Sequence, residues 1–295
     1  MVHYNPKDWF TFIFRFHKSD TFRQLIPMMI AIGLYSWGVG YLEMEIWKLS
    51  QNDQLKNITV MHGTLGFVIS LLLAYRTNTA YDRWWEGRKI WGQLTNTSRS
   101  LALKLEAILE NEADIKFFRV FIPGFAFELS KYLRKDETSK MLWQKEEETI
   151  GLEMEKNIDT KKHIPLQVVK MMHHKINRLK KEGKINAEEF IVINKELTAF
   201  SDIIGACERI KNTPIPYSYS AFIKKFIFVF IMTLPFGYVF SLGYYVIPVV
   251  VFIFYVLASL ELIAEEIEDP FGNDANDLPI DVMASNIKKH VNEIF

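Results

Sequence analysis

The 295-residue chain carries 35 Lys and Arg against 35 Asp and Glu, is 49% apolar and 14% aromatic, and has one Cys; its mean hydropathy is +0.03. These averages exclude a disordered, collagen-like or disulfide-framework chain, because apolar content is high, Gly and Pro are modest and a single Cys cannot form an internal disulfide. The charges are unevenly spread, however: Leu25–Leu42, Ile58–Tyr75 and Phe226–Leu260, of 18, 18 and 35 residues, hold none of them.

Residues 1–24 have a net charge of +2 and place Trp9, Phe10, Ile13, Phe14 and Phe16 among Lys7, Arg15 and Lys18. Aromatic and basic side chains together suit the lipid headgroup region, so this segment reads as an interfacial anchor, with packing against a cytosolic part as the alternative. Residues 25–75 hold the first two membrane spans, since about 17–25 apolar helical residues cross a hydrocarbon core of about 30 Å. The loop 43–57 between them has a net charge of −1. A secretory signal is not expected, because no small-residue cleavage site accompanies the first apolar run.

The stretch 76–225 has a net charge of +6 and reads as a cytosolic helical region. Trp84, Trp91, Leu94, Ser98, Leu101, Leu105 and Ile108 follow a spacing of seven, then alternating three and four. Such a seam lets the helix of the second span continue into the cytosol and pack in a bundle. Ile164–Lys181 predicts a basic amphipathic helix ended by Gly183, and Asn186 with Glu189 predicts a capping box for the next helix. Residues 226–260 are too long for one span and contain Pro235, Gly237, Gly243 and Pro248, which predicts two short spans joined by a turn near Gly237–Tyr244. The tail 261–295 has a net charge of −7. Basic residues near span ends stay on the cytoplasmic side, which places both termini and the 76–225 region inside. The expected fold is therefore an all-α membrane protein with four transmembrane helices, continuous with a large cytosolic helical bundle. A buried core hairpin of a soluble protein is the alternative for the apolar runs.

Signatures of catalysis are missing: the chain has no P-loop, dinucleotide fingerprint, HExxH or CxxC. His173 and His174 are adjacent, so on a helix they diverge by about 100° and do not clamp one metal. Glu261, Glu265, Glu266, Glu268 and Asp269 lack the Glu-x-x-His partners of a carboxylate-bridged metal site. His62 reads as a packing or rim residue, and Gly38-Val39-Gly40 as close helix packing. No enzyme is expected, no cofactor is required, and nucleic acid is not an expected partner.

The second span is more informative. Phe67, Leu71 and Tyr75 fall at i, i+4 and i+8 and line one face, while Gly66, Ser70 and Ala74 share that spacing one residue earlier. Small residues in such a row let neighbouring helices approach closely. The combination fits a helix whose large apolar row faces a narrow space, although any apolar helix contains such rows; one helix encloses no pathway, so pore lining requires several copies around an axis.

Tyr75-Arg76-Thr77-Asn78-Thr79-Ala80-Tyr81-Asp82-Arg83-Trp84-Trp85-Glu86, followed by Trp91-Gly92, resembles the stretch after the second span of bestrophin-family channels. Asp269-Pro270-Phe271-Gly272-Asn273-Asp274-Ala275-Asn276-Asp277 resembles that family's Pro-Phe-Gly-acidic segment after the last span. The resemblance covers essentially the whole chain, most weakly at about residues 110–200, and the short tail is similar to bacterial members. It implies a ring-shaped homopentamer in the membrane, conducting small monovalent ions passively through one central pore, with the neck at Phe67, Leu71 and Tyr75. It also implies a Ca²⁺ clasp just after Pro-Phe-Gly, where Asp274 and Asp277 match side-chain ligand positions. Asn273, Ala275 and Asn276 replace acids found in animal members, so an acidic turn or a subunit contact is the alternative there.

A neck without charge is expected to gate by dewetting and widening and to leave ion preference to its surroundings. Arg76 and Arg83 beyond the neck favour anions, whereas Glu43 and Glu45 at the outer mouth favour cations. The resemblance, taken by family majority, implies chloride and other anions; a cation channel of the same fold, and a membrane-anchored binding or signalling module without flux, are the alternatives.

Overall fold

A computed structural model describes residues 21–47, 53–135, 158–159 and 161–295, with the backbone alone for 53–57. The expected interfacial anchor, Lys7 to Lys18, lies outside the described residues. Those described are helical and include no strand. In chain order they form α1 (Thr21–Tyr41, continued by a π-helical turn Leu42–Ile46), α2 (Asp53–Ile108), α3 (Glu112–Arg134), α4 (Ile164–Lys181), α5 (Ala187–Asn212), α6 (Tyr217–Leu242), α7 (Val246–Glu268) and α8 (Ile280–Ile294). Three stretches are long and apolar enough to cross a membrane: Thr21–Ile46, Ile58–Ile108 and Ala187–Glu268, the last containing α6 and α7.

The helix boundaries follow from local chemistry. α2 runs for 56 residues, more than twice what a span needs, because no proline interrupts it after the apolar run. It stops where Asn111 turns out of helical geometry and caps α3, accepting from Ala113 N at 2.8 Å. His163 caps α4 through Leu166 N. The capping box of α5 is formed: Asn186 Oδ1 accepts from Glu189 N at 2.7 Å, and Glu189 Oε2 accepts from Asn186 N at 2.8 Å. The turn in the long apolar run falls at the end of the expected Gly237–Tyr244 range. Gly237 and Pro235 sit inside α6, and the reversal is made at Gly243–Tyr245, where Gly243 takes φ +53°. Gly237 serves close approach instead: a Cβ there would lie 3.1 Å from Ile58 and 3.2 Å from the His62 ring.

The chain divides into two compact units. The first comprises the described residues up to Trp84 with Pro214–Asp269 and Asp274–Asn276; the second comprises Trp85–Thr213, Pro270–Asn273 and Asp277–Phe295. The units thus part at Trp84–Trp85 inside α2, and α6 begins eight residues before Lys225, the last charge ahead of the apolar run.

In the first unit, α1 packs on α7 and α6 packs on both. The core joins Leu25 and Ile32 of α1, Ile69 and Leu73 of α2, Ile227 and Phe230 of α6, and Val250 and Phe254 of α7. Three polar pairs are made internally, which suits an apolar setting. Thr21 Oγ1 donates to Ser259 Oγ (2.9 Å), Tyr35 Oη to Met232 O (2.9 Å), and His62 Nε2 lies 3.0 Å from Thr233 Oγ1.

In the second unit, the seam from Trp91 through Leu94, Ser98 and Leu101 to Leu105 is buried, as its spacing predicts. Phe118, Phe121, Phe125 and Leu129 form the buried face of α3, with Phe200 of α5 edge-on to Phe125. α8 packs on α3, and Asp281 accepts from Ser130 Oγ (2.5 Å) and pairs with Arg134. Asp114 is buried and accepts from Lys175 Nζ (2.5 Å) and Lys184 Nζ (2.8 Å), tying α3 to α4 and to the loop after it.

Candidate functional site

α2 presents two opposite faces to its surroundings in the first unit. Ile69, Leu73, Arg76 and Ala80, spaced four, three and four, are all buried within the chain. Phe67, Leu71 and Tyr75 lie half a turn away and are 70%, 48% and 61% exposed. The expected neck row is therefore the more open face of the helix: three large side chains that the described residues leave about half exposed or more. Of the small-residue row, Gly66 lies against Phe230 of α6, where an added Cβ would come to 3.5 Å. Ser70 and Ala74 are exposed, and Ser70 Oγ donates to Gly66 O of its own helix at 2.8 Å. Within one chain the most buried row is thus Ile69–Leu73–Ala80, Gly66 packs on α6, and Ser70 and Ala74 form an open flank beside the exposed row.

Immediately after Tyr75 stands a charge cluster that sequence reasoning missed. Arg76 is 1% exposed. Its Nη2 lies 2.7 Å from Glu268 Oε2 and its Nε 3.6 Å from Glu261 Oε2, both on α7. Glu268 also accepts from Ile215 N through Oε1 (2.6 Å), and its backbone oxygen accepts from Arg83 Nε (3.0 Å). Glu268 therefore holds α2, the chain entering α6 and the end of α7 together. This corrects the expectation for Arg76, whose charge is buried on two carboxylates; Arg83 is half-buried and donates to the backbone at the end of α7. Glu43 is likewise buried, and Glu45 is exposed. One signal in the sequence pointed this way. Arg76 lies about 180°, 140° and 100° around the helix from Phe67, Leu71 and Tyr75 at about 100° per residue, and Glu261, Glu265 and Glu268 share one face of α7.

The two motifs quoted from opposite ends of the chain come together. In the first unit, Trp84 Nε1 donates to Asn276 O (3.0 Å), and Asn276 Nδ2 donates to Glu266 Oε2 (2.7 Å). In the second, Phe271 is fully buried against Gly87, where a Cβ would meet the Phe271 ring and Leu278 at 3.2 Å. Leu278 N closes the turn on Pro270 O at 2.9 Å. Gly87 is thus a second residue whose role the sequence left unmarked.

Asp274 is exposed and Asp277 is buried. Ca²⁺ asks for six to eight oxygens, whereas among the described residues no three His, Cys, Asp or Glu side chains gather in a way that could hold a metal. Asp274 and Asp277 by their side chains alone thus supply fewer oxygens than Ca²⁺ asks for.

These features define a helical membrane protein whose second apolar helix buries one face in its own chain and leaves a bulky apolar row on the other. The chain belongs to the bacterial and fungal bestrophin family, whose model matches residues 1–293. It is 28% identical over 289 residues to a voltage-dependent anion channel-forming protein of Ralstonia nicotianae, covering 97% of this chain and 92% of that one. A protein of the same description from a Nostoc species is 33% identical over 233 residues, covering 77% and 74%. Among solved structures, a crystal structure of a bacterial bestrophin homologue from Klebsiella pneumoniae superposes with a TM-score of 0.80 at 26% identity, covering 92% of this chain and 98% of that one.

Proposed function

We propose that the protein is a homopentameric ion channel of the cell membrane that conducts small monovalent ions passively, anions favoured, through a neck ringed by Phe67, Leu71 and Tyr75. The observation that carries this reading is the exposure of those three side chains on the face of α2 opposite its buried row. Bulky apolar groups at that position gain little from facing water, and a symmetric ring of copies converts the row into a narrow apolar constriction. The open small-residue flank at Ser70 and Ala74 supports the same arrangement, because it gives an adjacent copy's helix room to approach. Four crossings, made by α1, the first part of α2, α6 and α7, leave both termini and the second unit on the cytoplasmic side under the charge rule.

The preference for anions is supported by the names of the relatives from Ralstonia and Nostoc. It draws no support from Arg76, whose charge is buried on Glu268 and Glu261. The neck gates by dewetting: an apolar ring empties of water when narrow and conducts when it widens. No cofactor enters the scheme.

The test is ion flux through purified protein in planar bilayers. Leu71→Ala removes bulk from the middle ring and is expected to raise conductance or abolish rectification. Unchanged conductance in Phe67→Ala, Leu71→Ala and Tyr75→Ala together would place the pathway elsewhere. A monomeric mass in detergent would remove the ring altogether and leave the membrane-anchored binding module.

A further inference from the structure

We infer that Asp82 is the ion-preference residue nearest the neck, presenting one carboxylate per subunit to permeating ions; the inference rests on the neck reading above. α2 is an uninterrupted α-helix from Asp53 to Ile108, so angular position along it follows from sequence spacing. Setting Phe67 at zero and advancing about 100° per residue puts Leu71 at about 40°, Tyr75 at about 80° and Asp82 at about 60°. Asp82 therefore stands inside the arc that the three neck residues define. Its side chain is exposed and has no hydrogen-bond or ion-pair partner among the described residues.

The basic residues of the same stretch are turned elsewhere. By the same count Arg76 falls at about 180° and Arg83 at about 160°. The first is buried against Glu268 and Glu261, and the second donates to the backbone of Glu268. Between Tyr75 and Asp82 the neck-side arc carries Asn78, which has no charge, and the next base on it, Lys89, is seven residues further on. The first full charge an ion meets on this face beyond the neck is thus negative.

Asp82 is seven residues past Tyr75, about 10 Å along the helix. That is close to the screening length of about 8 Å at physiological ionic strength, so a carboxylate ring still acts on ions entering or leaving the neck. Several such charges acting together change the ratio of local cation to anion concentration on the order of threefold or more. Asp82 opposes anion passage, and it is the group that limits how far the channel favours anions.

The experiment compares the full-length protein with Asp82→Asn and Asp82→Lys in planar bilayers under asymmetric NaCl, with Leu71→Ala measured alongside. The reversal potential is expected to move toward the chloride equilibrium potential in Asp82→Asn, and further in Asp82→Lys. A merely structural role for Asp82 would change current amplitude and leave the reversal potential in place. Asp82→Asn is nearly isosteric and carries the test if Asp82→Lys does not assemble. Wild-type reversal potentials in the Asp82 variants, with conductance altered in Leu71→Ala, overturn the inference and leave the neck standing. No change in any variant overturns both.

Discussion

Replacing Arg76 by Met tests the cluster that anchors α2 just past the neck. Arg76 is 1% exposed and is the nearest cation to two carboxylates of α7, at 2.7 Å from Glu268 and 3.6 Å from Glu261. At about 4 Å and an effective dielectric of about 20, each attraction is worth roughly 4 kcal/mol before desolvation, which offsets most of it. The asymmetry appears when one partner is removed. Glu268 keeps the hydrogen bond from Ile215 N, but the Glu261 carboxylate oxygens are buried and accept no hydrogen bond. The two acids then lose their nearest counter-charge, and Lys224 is left as the further positive neighbour of Glu261. Breaking a buried pair in this way costs about 3–5 kcal/mol. At roughly 2 °C per kcal/mol for a chain of this size, the melting temperature should fall by about 6–10 °C. The assay is thermal unfolding of the detergent-solubilised protein followed by circular dichroism. The triple variant Arg76→Met, Glu261→Gln, Glu268→Gln should regain most of the loss, since neutral amides do not repel. An Arg76→Met protein that melts with the wild type would refute the reasoning, because it would mean the two carboxylates are not relying on this guanidinium.

Two further outcomes concern the second unit. Gly87→Ala places a methyl 3.2 Å from the Phe271 ring and Leu278, and because Phe271 is fully buried its ring has nowhere to withdraw; overpacking of this kind costs about 1–3 kcal/mol, read as a lower melting temperature, and wild-type stability would show that the ring is not wedged there. Burial raises the Asp114 carboxyl, but hydrogen bonds from Lys175 and Lys184 outweigh it and hold the group below the ordinary Asp value. A depressed carboxyl contributes stability that is fully present above the unfolded value of about 3.9 and is lost as pH falls through the folded value. The stability gap between wild type and Asp114→Asn should therefore close as the pH is lowered from about 5, and a gap independent of pH would contradict the ion pairing.

Much of the organisation was legible because it depends on local chemistry. Three uncharged runs mark the apolar segments, since any helix long enough to cross a bilayer must leave charges out. The seam from Trp91 to Leu105 and the capping box at Asn186 could be read from spacing, because a helix brings residues three and four apart onto one face. The turn in the third apolar run was less legible. Gly237 carries the same letter as Gly243, and only the approach of His62 and Ile58 shows that the first is there for contact while the second is there for a positive φ.

The partners of the charges were only faintly legible, through the angular position of Arg76 and the shared face of Glu261, Glu265 and Glu268. Sequence counts Arg76 as a base beyond the neck, because it follows the last apolar residue of the span. The structure places it under two acids nearly two hundred residues further along the chain. Periodicity alone determined which residues of α2 share a face, and so singled out Phe67, Leu71 and Tyr75. Only the tertiary structure decided which of its faces is covered. That choice depends on α6 and α7 folding back against Ile69, Leu73 and Arg76, and such long-range contacts leave no signature in the spacing of either segment.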